Sequence, residues 1–258
     1  MMAVELVFES YGEECAKPLI ILHGFLASSR NWRTVAKRLA EKQQVYVLDM
    51  RNHGASPHHE VMDYPVMADD VIRFMDGLGL HKAHILGHSM GGKVAMCIAL
   101  TRPERIESLM VADIAPVAYT HSFDVMIQAL KQLPLDKLNN RKQAEQFLAD
   151  AIPDIGFRQF LLQNLQLKDS AYYWRVNLDF IQRNANHIVG FPAVFKQAFR
   201  EKALFIAGQH SAYITPESVA GLFPDAEIVE IPGAGHWLYV EAPDAFCQIV
   251  SDWMTCAS

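Results

Sequence analysis

Short apolar runs alternate with helically spaced apolar positions through the first part of the chain. Residues 4–9 alternate apolar and polar side chains, which predicts a half-exposed edge strand. Apolar runs at 19–22, 45–48, 83–86 and 108–112 predict strands, the first two covered on both faces. Within 31–41, Trp32, Val35, Ala36 and Leu39 carry the spacing of one helix face. A second helix is predicted over 65–76, beginning at Pro65, with Gly77 and Gly79 stopping it. A third, strongly apolar helix is predicted over 93–100.

The alternation then breaks. Across 118–200 the pattern predicts helices at 122–133, 141–151, 157–165 and 173–184, cut by prolines and glycines, and no strand. It resumes with a strand at 203–207 and a helix opened by Thr215 as cap and Pro216 in first position. A last strand at 227–231 and a last helix at 243–254 follow. Strands alternating with helices predict an α/β fold, a mostly parallel sheet with helices on both faces. A helical block inserted between two such strands is expected to form a lid over their carboxyl ends, where open α/β sheets place ligands. The expected organisation is a core over 1–117, a helical lid over 118–200 and the rest of the core over 201–258.

Composition excludes more than it adds. With 258 residues, 51% hydrophobic and 20% charged, the chain suits one core with an inserted subdomain. A net charge of -6 without a basic block argues against nucleic acid as a partner. No apolar run is long enough to span a bilayer, and the opening residues lack a secretory pattern. Cys15, Cys97, Cys247 and Cys256 show no paired spacing, so reduced thiols in a cytoplasmic protein are expected. His58-His59 lack a further ligand at a recognisable spacing, and neither a metal nor another cofactor is expected. Oligomeric state stays open.

The chemistry concentrates in Gly87-His88-Ser89-Met90-Gly91-Gly92, a G-x-S-x-G run between a predicted strand and a predicted helix. A serine in such a sharp turn holds its hydroxyl out as a nucleophile, and glycines two positions to either side relieve the crowding of backbones. The hydroxyl needs a base. Of eleven histidines, His236 in Gly233-Ala234-Gly235-His236-Trp237 follows the last strand, where the order serine, acid, histidine requires it. The acid is expected after the strand ending at Ala207, yet Gly208-Gln209-His210-Ser211 puts a serine there. A serine cannot balance an imidazolium. Asp113, ending the preceding strand in Val111-Ala112-Asp113-Ile114-Ala115-Pro116, is therefore the expected acid, with Ser211 as a supporting hydrogen-bond donor. Backbone N–H groups of Met90 and Phe25, the latter in Leu22-His23-Gly24-Phe25-Leu26, are the expected oxyanion donors, with His23 ordering that loop.

Other residues are expected to be structural. Asp49-Met50-Arg51-Asn52-His53-Gly54 reads as a charged loop, and His88 and Lys93 as packing or solvated residues. Tyr172, Tyr173, Trp174 and Phe180 read as packing within the lid, with Tyr173 and Phe180 the candidates for lining an acyl pocket.

Over nearly its whole length the sequence resembles the α/β-hydrolase superfamily, and more narrowly a family of small bacterial esterases known as YbfF. The elbow, the 49–54 loop, Asp113-Ile114-Ala115-Pro116 and Gly233-Ala234-Gly235-His236-Trp237 carry the resemblance. It implies a serine carboxylesterase with its acid on the earlier strand, acting on small-molecule acyl esters and, the family suggests, on acyl thioesters such as acyl-CoA. Two alternatives stand beside it. A carbon–carbon bond hydrolase of a dienoic diketone shares the fold but usually carries its acid in the later position. A binding protein on a retired hydrolase scaffold usually lacks a member of the triad, whereas this chain has a candidate for each. Dehalogenases and epoxide hydrolases use an aspartate where Ser89 stands.

Overall fold

The computed structural model describes residues 3–14 and 17–256. Cys15 and the side chain of Cys256 lie outside the described residues, while Cys97 and Cys247 carry free thiols. The edge strand β1 is Phe8–Tyr11, later than the sequence pattern predicts. Two backbone donors are diverted before it can start: Val4 N–H goes to Asp70 Oδ1 at 2.7 Å and Val7 N–H to Ser56 Oγ at 2.8 Å. β2 (Leu19–Leu22) and β3 (Val45–Leu48) fall where their apolar runs do. Between them a 3₁₀ turn at Ser29–Trp32 leads into α1 (Arg33–Leu39).

α2 (Tyr64–Gly77) is capped by Asp63, whose carboxylate accepts the Val66 N–H at 3.0 Å. β4 (Ala83–His88), α3 (Met90–Thr101) and β5 (Ile106–Ala112) follow. Between β5 and the next core strand lie α4 (Asp124–Lys131), α5 (Arg141–Phe147), α6 (Ile155–Leu162), β6 (Leu165–Lys168), β7 (Ala171–Trp174) and α7 (Leu178–Val189). The antiparallel β6–β7 hairpin corrects the expectation of helices alone, and with it the helix placed at 173–184. Asp169 and Ser170 at its turn have φ of 48° and 65°, the left-handed pair that a two-residue hairpin demands. Tyr172, Tyr173 and Trp174 are aromatic because they are strand residues. Leu130, Leu161, Leu165 and Ile181 are among the residues that give this block an apolar centre of its own.

The core resumes with β8 (Ala203–Gly208), α8 (Pro216–Ala220), β9 (Glu227–Ile231), a short α9 (Leu238–Glu241) and α10 (Pro243–Cys256). Thr215 caps α8 as its sequence predicts. The seven strands stand in the order β1-β3-β2-β4-β5-β8-β9, with β1 antiparallel to β3 and the other pairs parallel. Helices α2 and α3 pack on one face, and α1 and α10 on the other. Pairing aligns the strand ends: His88 opposite Ala112, Ala112 opposite Ile206, and Gly208 opposite Ile231. The loops that begin at residues 89, 113, 209 and 232 therefore leave the sheet side by side.

Candidate active site

Ser89 is the single residue between β4 and α3. Its backbone (φ 51°, ψ -116°) lies in a region that costs an L-residue about 1–3 kcal/mol, so the surrounding structure must enforce it. The enforcement is close packing. A Cβ on Gly87 would sit 2.2 Å from the carbonyl oxygen of Gly91, and one on Gly91 would sit 2.1 Å from that of Leu22. The elbow closes only with glycine at both positions. Ser89 N–H is held by Ala112 O at 3.0 Å, and Met90, the first residue of α3, has an N–H with no intrahelical acceptor.

Asp113 leaves β5 one strand over, fully buried and with φ of 51°. Its carboxylate accepts from Gly208 N–H at 3.1 Å, from Ser211 Oγ at 2.5 Å and from His236 Nδ1 at 2.7 Å. Charge-assisted bonds of this kind are roughly twice as strong as neutral ones. The imidazole of His236 is itself packed between two rings, Tyr213 at 4.6 Å and His88 at 4.7 Å between centroids. His88 Nε2 meets His236 O at 2.8 Å, tying the histidine loop to the elbow. Burial pushes the pKa of His88 well below the ordinary histidine value, so the ring is neutral, donates from Nε2 and carries its lone pair on a buried, unpartnered Nδ1. His88 therefore packs, as expected, and in addition holds the His236 backbone.

Ser89 and His236 open onto one cavity of about 260 Å³. The inserted block supplies much of its wall through Phe123, Met126, Phe157, Phe160 and Leu161. Phe157 and Phe160 each come within 5.8 Å of the Trp237 ring. Tyr173 and Phe180 are absent from this wall, which corrects their expected place in an acyl pocket. Tyr173 points outward from the hairpin at 43% exposure, and Phe180 lies at the start of α7 with Arg183 over its ring. Lys93, expected to be packed or solvated, is buried in the cavity wall.

The loop after β2 lies across from the elbow, with Phe25 lining the cavity. Leu26 has φ of 58°, and its N–H donates to His53 Nε2 at 3.0 Å while its carbonyl accepts from Asn164 Nδ2 at 2.7 Å. His23 Nε2 accepts the Met50 N–H at 3.0 Å, and its Nδ1 meets Gly24 O at 2.8 Å. Desolvation lowers the pKa of both rings, that of His53 to about 3. The 49–54 loop is therefore the buried floor beneath residues 24–29, with Asp49 Oδ1 accepting the Ser29 N–H at 2.7 Å and Arg51 paired to Asp70 at 2.6 Å. No cluster of three or more His, Cys, Asp or Glu among the described residues is arranged to hold a metal, and His59 Nδ1 instead accepts the Val61 N–H at 3.1 Å.

Comparison with known proteins agrees with this architecture. The family profile described as alpha/beta hydrolase fold matches residues 17–243. The sn-1-specific diacylglycerol lipase ABHD11 of Danio rerio is 39% identical over 256 residues, covering 95% of this chain and 80% of that protein. Esterase YbfF of Escherichia coli K12 is 33% identical over 241 residues, covering 92% of each. Among solved structures, a marine microorganism esterase superposes with a TM-score of 0.93 at 39% identity, over 97% of this chain and 100% of that one. No helix among the described residues is long and apolar enough to cross a membrane.

Proposed function

The chain belongs to the α/β-hydrolase fold family and is an ester hydrolase, and we propose that it works through an acyl-enzyme on Ser89, with His236 as base and Asp113 as acid. The observation that carries this reading is the hydrogen-bonded chain at the sheet edge. Asp113 accepts from His236 Nδ1 at 2.7 Å, and His236 shares a cavity with the strained Ser89. With Nδ1–H committed to the carboxylate, Nε2 is the basic nitrogen that takes the Ser89 proton as the hydroxyl attacks the acyl carbon. The oxyanion that forms is met by the N–H groups of Met90 and Phe25. Collapse expels the alcohol, protonated by His236, and water then releases the acid by the same steps.

Asp113 takes the place of the missing later carboxylate, and Ser211 supports it from the position a carboxylate usually holds. The 118–200 block acts as a cap that closes the cavity and selects the acyl group. Thioesters, acyl-CoA among them, fit the same chemistry, because the attacked carbonyl is the same and a thiolate leaves more readily than an alkoxide. Labelling of Ser89 by a fluorophosphonate probe, together with hydrolysis of p-nitrophenyl esters, tests the reading. A chain that neither labels nor turns over is a binding protein on a hydrolase scaffold. Lost labelling in Ser89→Ala with more than a tenth of kcat retained means another nucleophile acts.

A further inference from the structure

Lys93 lies one helical turn beyond Ser89, its N–H donating to Ser89 O at 3.1 Å. The residue is 2% exposed, and it belongs to the wall of the cavity onto which Ser89 opens. Its Nζ donates to Val189 O at 2.9 Å and to Gly190 O at 2.7 Å, at the end of α7. The rings of Tyr119 and Tyr64 lie 4.7 and 5.7 Å from it. None of these neighbours carries a negative charge. Lysine is almost never this buried without a partner ion, since an uncompensated ammonium in an apolar wall is costly. Burial alone pulls its pKa down to about 7, and no carboxylate opposes that pull. Two of three N–H donors are used, on carbonyls that hold the nitrogen in place without neutralising it. No anion is among these neighbours, and Lys93 borders the cavity onto which Ser89 opens.

We propose that Lys93 Nζ anchors a carboxylate at the far end of the acyl group, so that the preferred substrates are half-esters or half-thioesters of dicarboxylic acids. This rests on the assignment of Ser89 as nucleophile. Each turnover consumes one water and yields the free dicarboxylate and the alcohol or thiol. Ser89 and Lys93 line the same cavity, so an acyl chain attached at Ser89 carries its far carboxylate towards Lys93, and a six-carbon diacid serves as the probe. Tyr64 and Tyr119 flank the methylenes and exclude water from the ion pair. Lys93 also latches the last turn of α7 to the core, and a latch alone makes a different forecast: its loss would slow all substrates alike.

The test compares p-nitrophenyl hydrogen adipate with p-nitrophenyl hexanoate, six acyl carbons each, in the wild type and in Lys93→Met. A charge-assisted hydrogen bond lost from a buried site is expected to lower the adipate-to-hexanoate ratio of kcat/KM at least tenfold. A ratio that changes less than threefold overturns the proposal and leaves the latch. Should Lys93→Met fail to fold, inhibition of wild-type hexanoate hydrolysis decides instead. Adipic acid monoamide is expected to inhibit at least tenfold more tightly than adipamide, and equal inhibition overturns the anchor. If neither ester is hydrolysed, the esterase reading fails on its own. Calorimetric binding of adipic acid monoamide, present in wild type and absent for adipamide, would then still support the Lys93 subsite, and no binding would refute it.

Discussion

Asp113 is the proposed acid of the site, and its environment fixes what a substitution does. Three donors converge on a fully buried carboxylate, and an amide at this position can satisfy only part of them. Asp113→Asn is expected to fold and to lose roughly 10⁴-fold in kcat, because the amide can neither hold the productive tautomer nor balance the imidazolium. Ser211→Ala removes one donor of three and is expected to cost a few-fold. Steady-state kinetics on one p-nitrophenyl ester checks both, and near-normal turnover in Asp113→Asn would mean that another carboxylate orients His236. The pairing of Asp113 with His236 was legible in the sequence because Ser211 stands where a carboxylate belongs, leaving Asp113 as the next strand end. His88 and Tyr213 were not legible as neighbours of His236. Their contacts are made by ring faces and a backbone carbonyl, and no spacing in the chain encodes these.

Among the elements, the core strands were readable because their apolar runs are continuous, and the β6–β7 hairpin was not. Its turn, Asp169-Ser170, adopts left-handed backbone without the Asn-Gly or Asp-Gly pair that usually marks it. The strands are four residues each, and their aromatic run also suits a helix face. Missing the hairpin hid how the inserted block grips the core. Asn164, between α6 and β6, is 2% exposed and donates to Leu26 O at 2.7 Å. Arg175 and Asn31 add contacts to the same stretch, to Ser28 Oγ at 3.3 Å and to Gln163 Oε1 at 2.7 Å. The Phe25 loop is thus held by His53 from the core and by Asn164 from the inserted block. Asn164→Leu keeps the volume but leaves Leu26 O without that donor. The expected result is a roughly tenfold lower kcat with KM within twofold, since a slight displacement of the proposed oxyanion donor, Phe25 N–H, would weaken the transition state more than the ground state. A raised KM at constant kcat would instead assign Asn164 to cavity shape.

For the molecule as a whole, the buried titratable groups set how stability depends on pH. His23, His53, His84 and His88 all have pKa values lowered in the fold, first by desolvation. In the unfolded chain each returns to about 6.5. Below that value the unfolded state binds protons that the native state refuses, so their contribution is complete above pH 6.5 and is lost as pH falls towards the folded values. Each of the four rings makes the fold less stable as pH falls below 6.5, and all four act in the same direction. Asp70, its carboxyl raised by burial beside Arg51, acts with the opposite sign but is one group against four. Lys93, lowered to about 7, acts with the same sign in a separate window between about pH 10 and 7. Urea midpoints measured from pH 8 to 4.5 are expected to decline gently from 8 to 7, where the Lys93 window closes, and then to drop more steeply below 6.5. His84 offers the control, because its Nδ1 meets Ser108 Oγ at 2.8 Å at the far end of β4 from Ser89. In His84→Gln the acid slope is expected to become shallower. A level midpoint down to pH 4.5 would mean that these rings take up protons inside the fold, and that the core around the 49–54 loop is wetter than its burial implies.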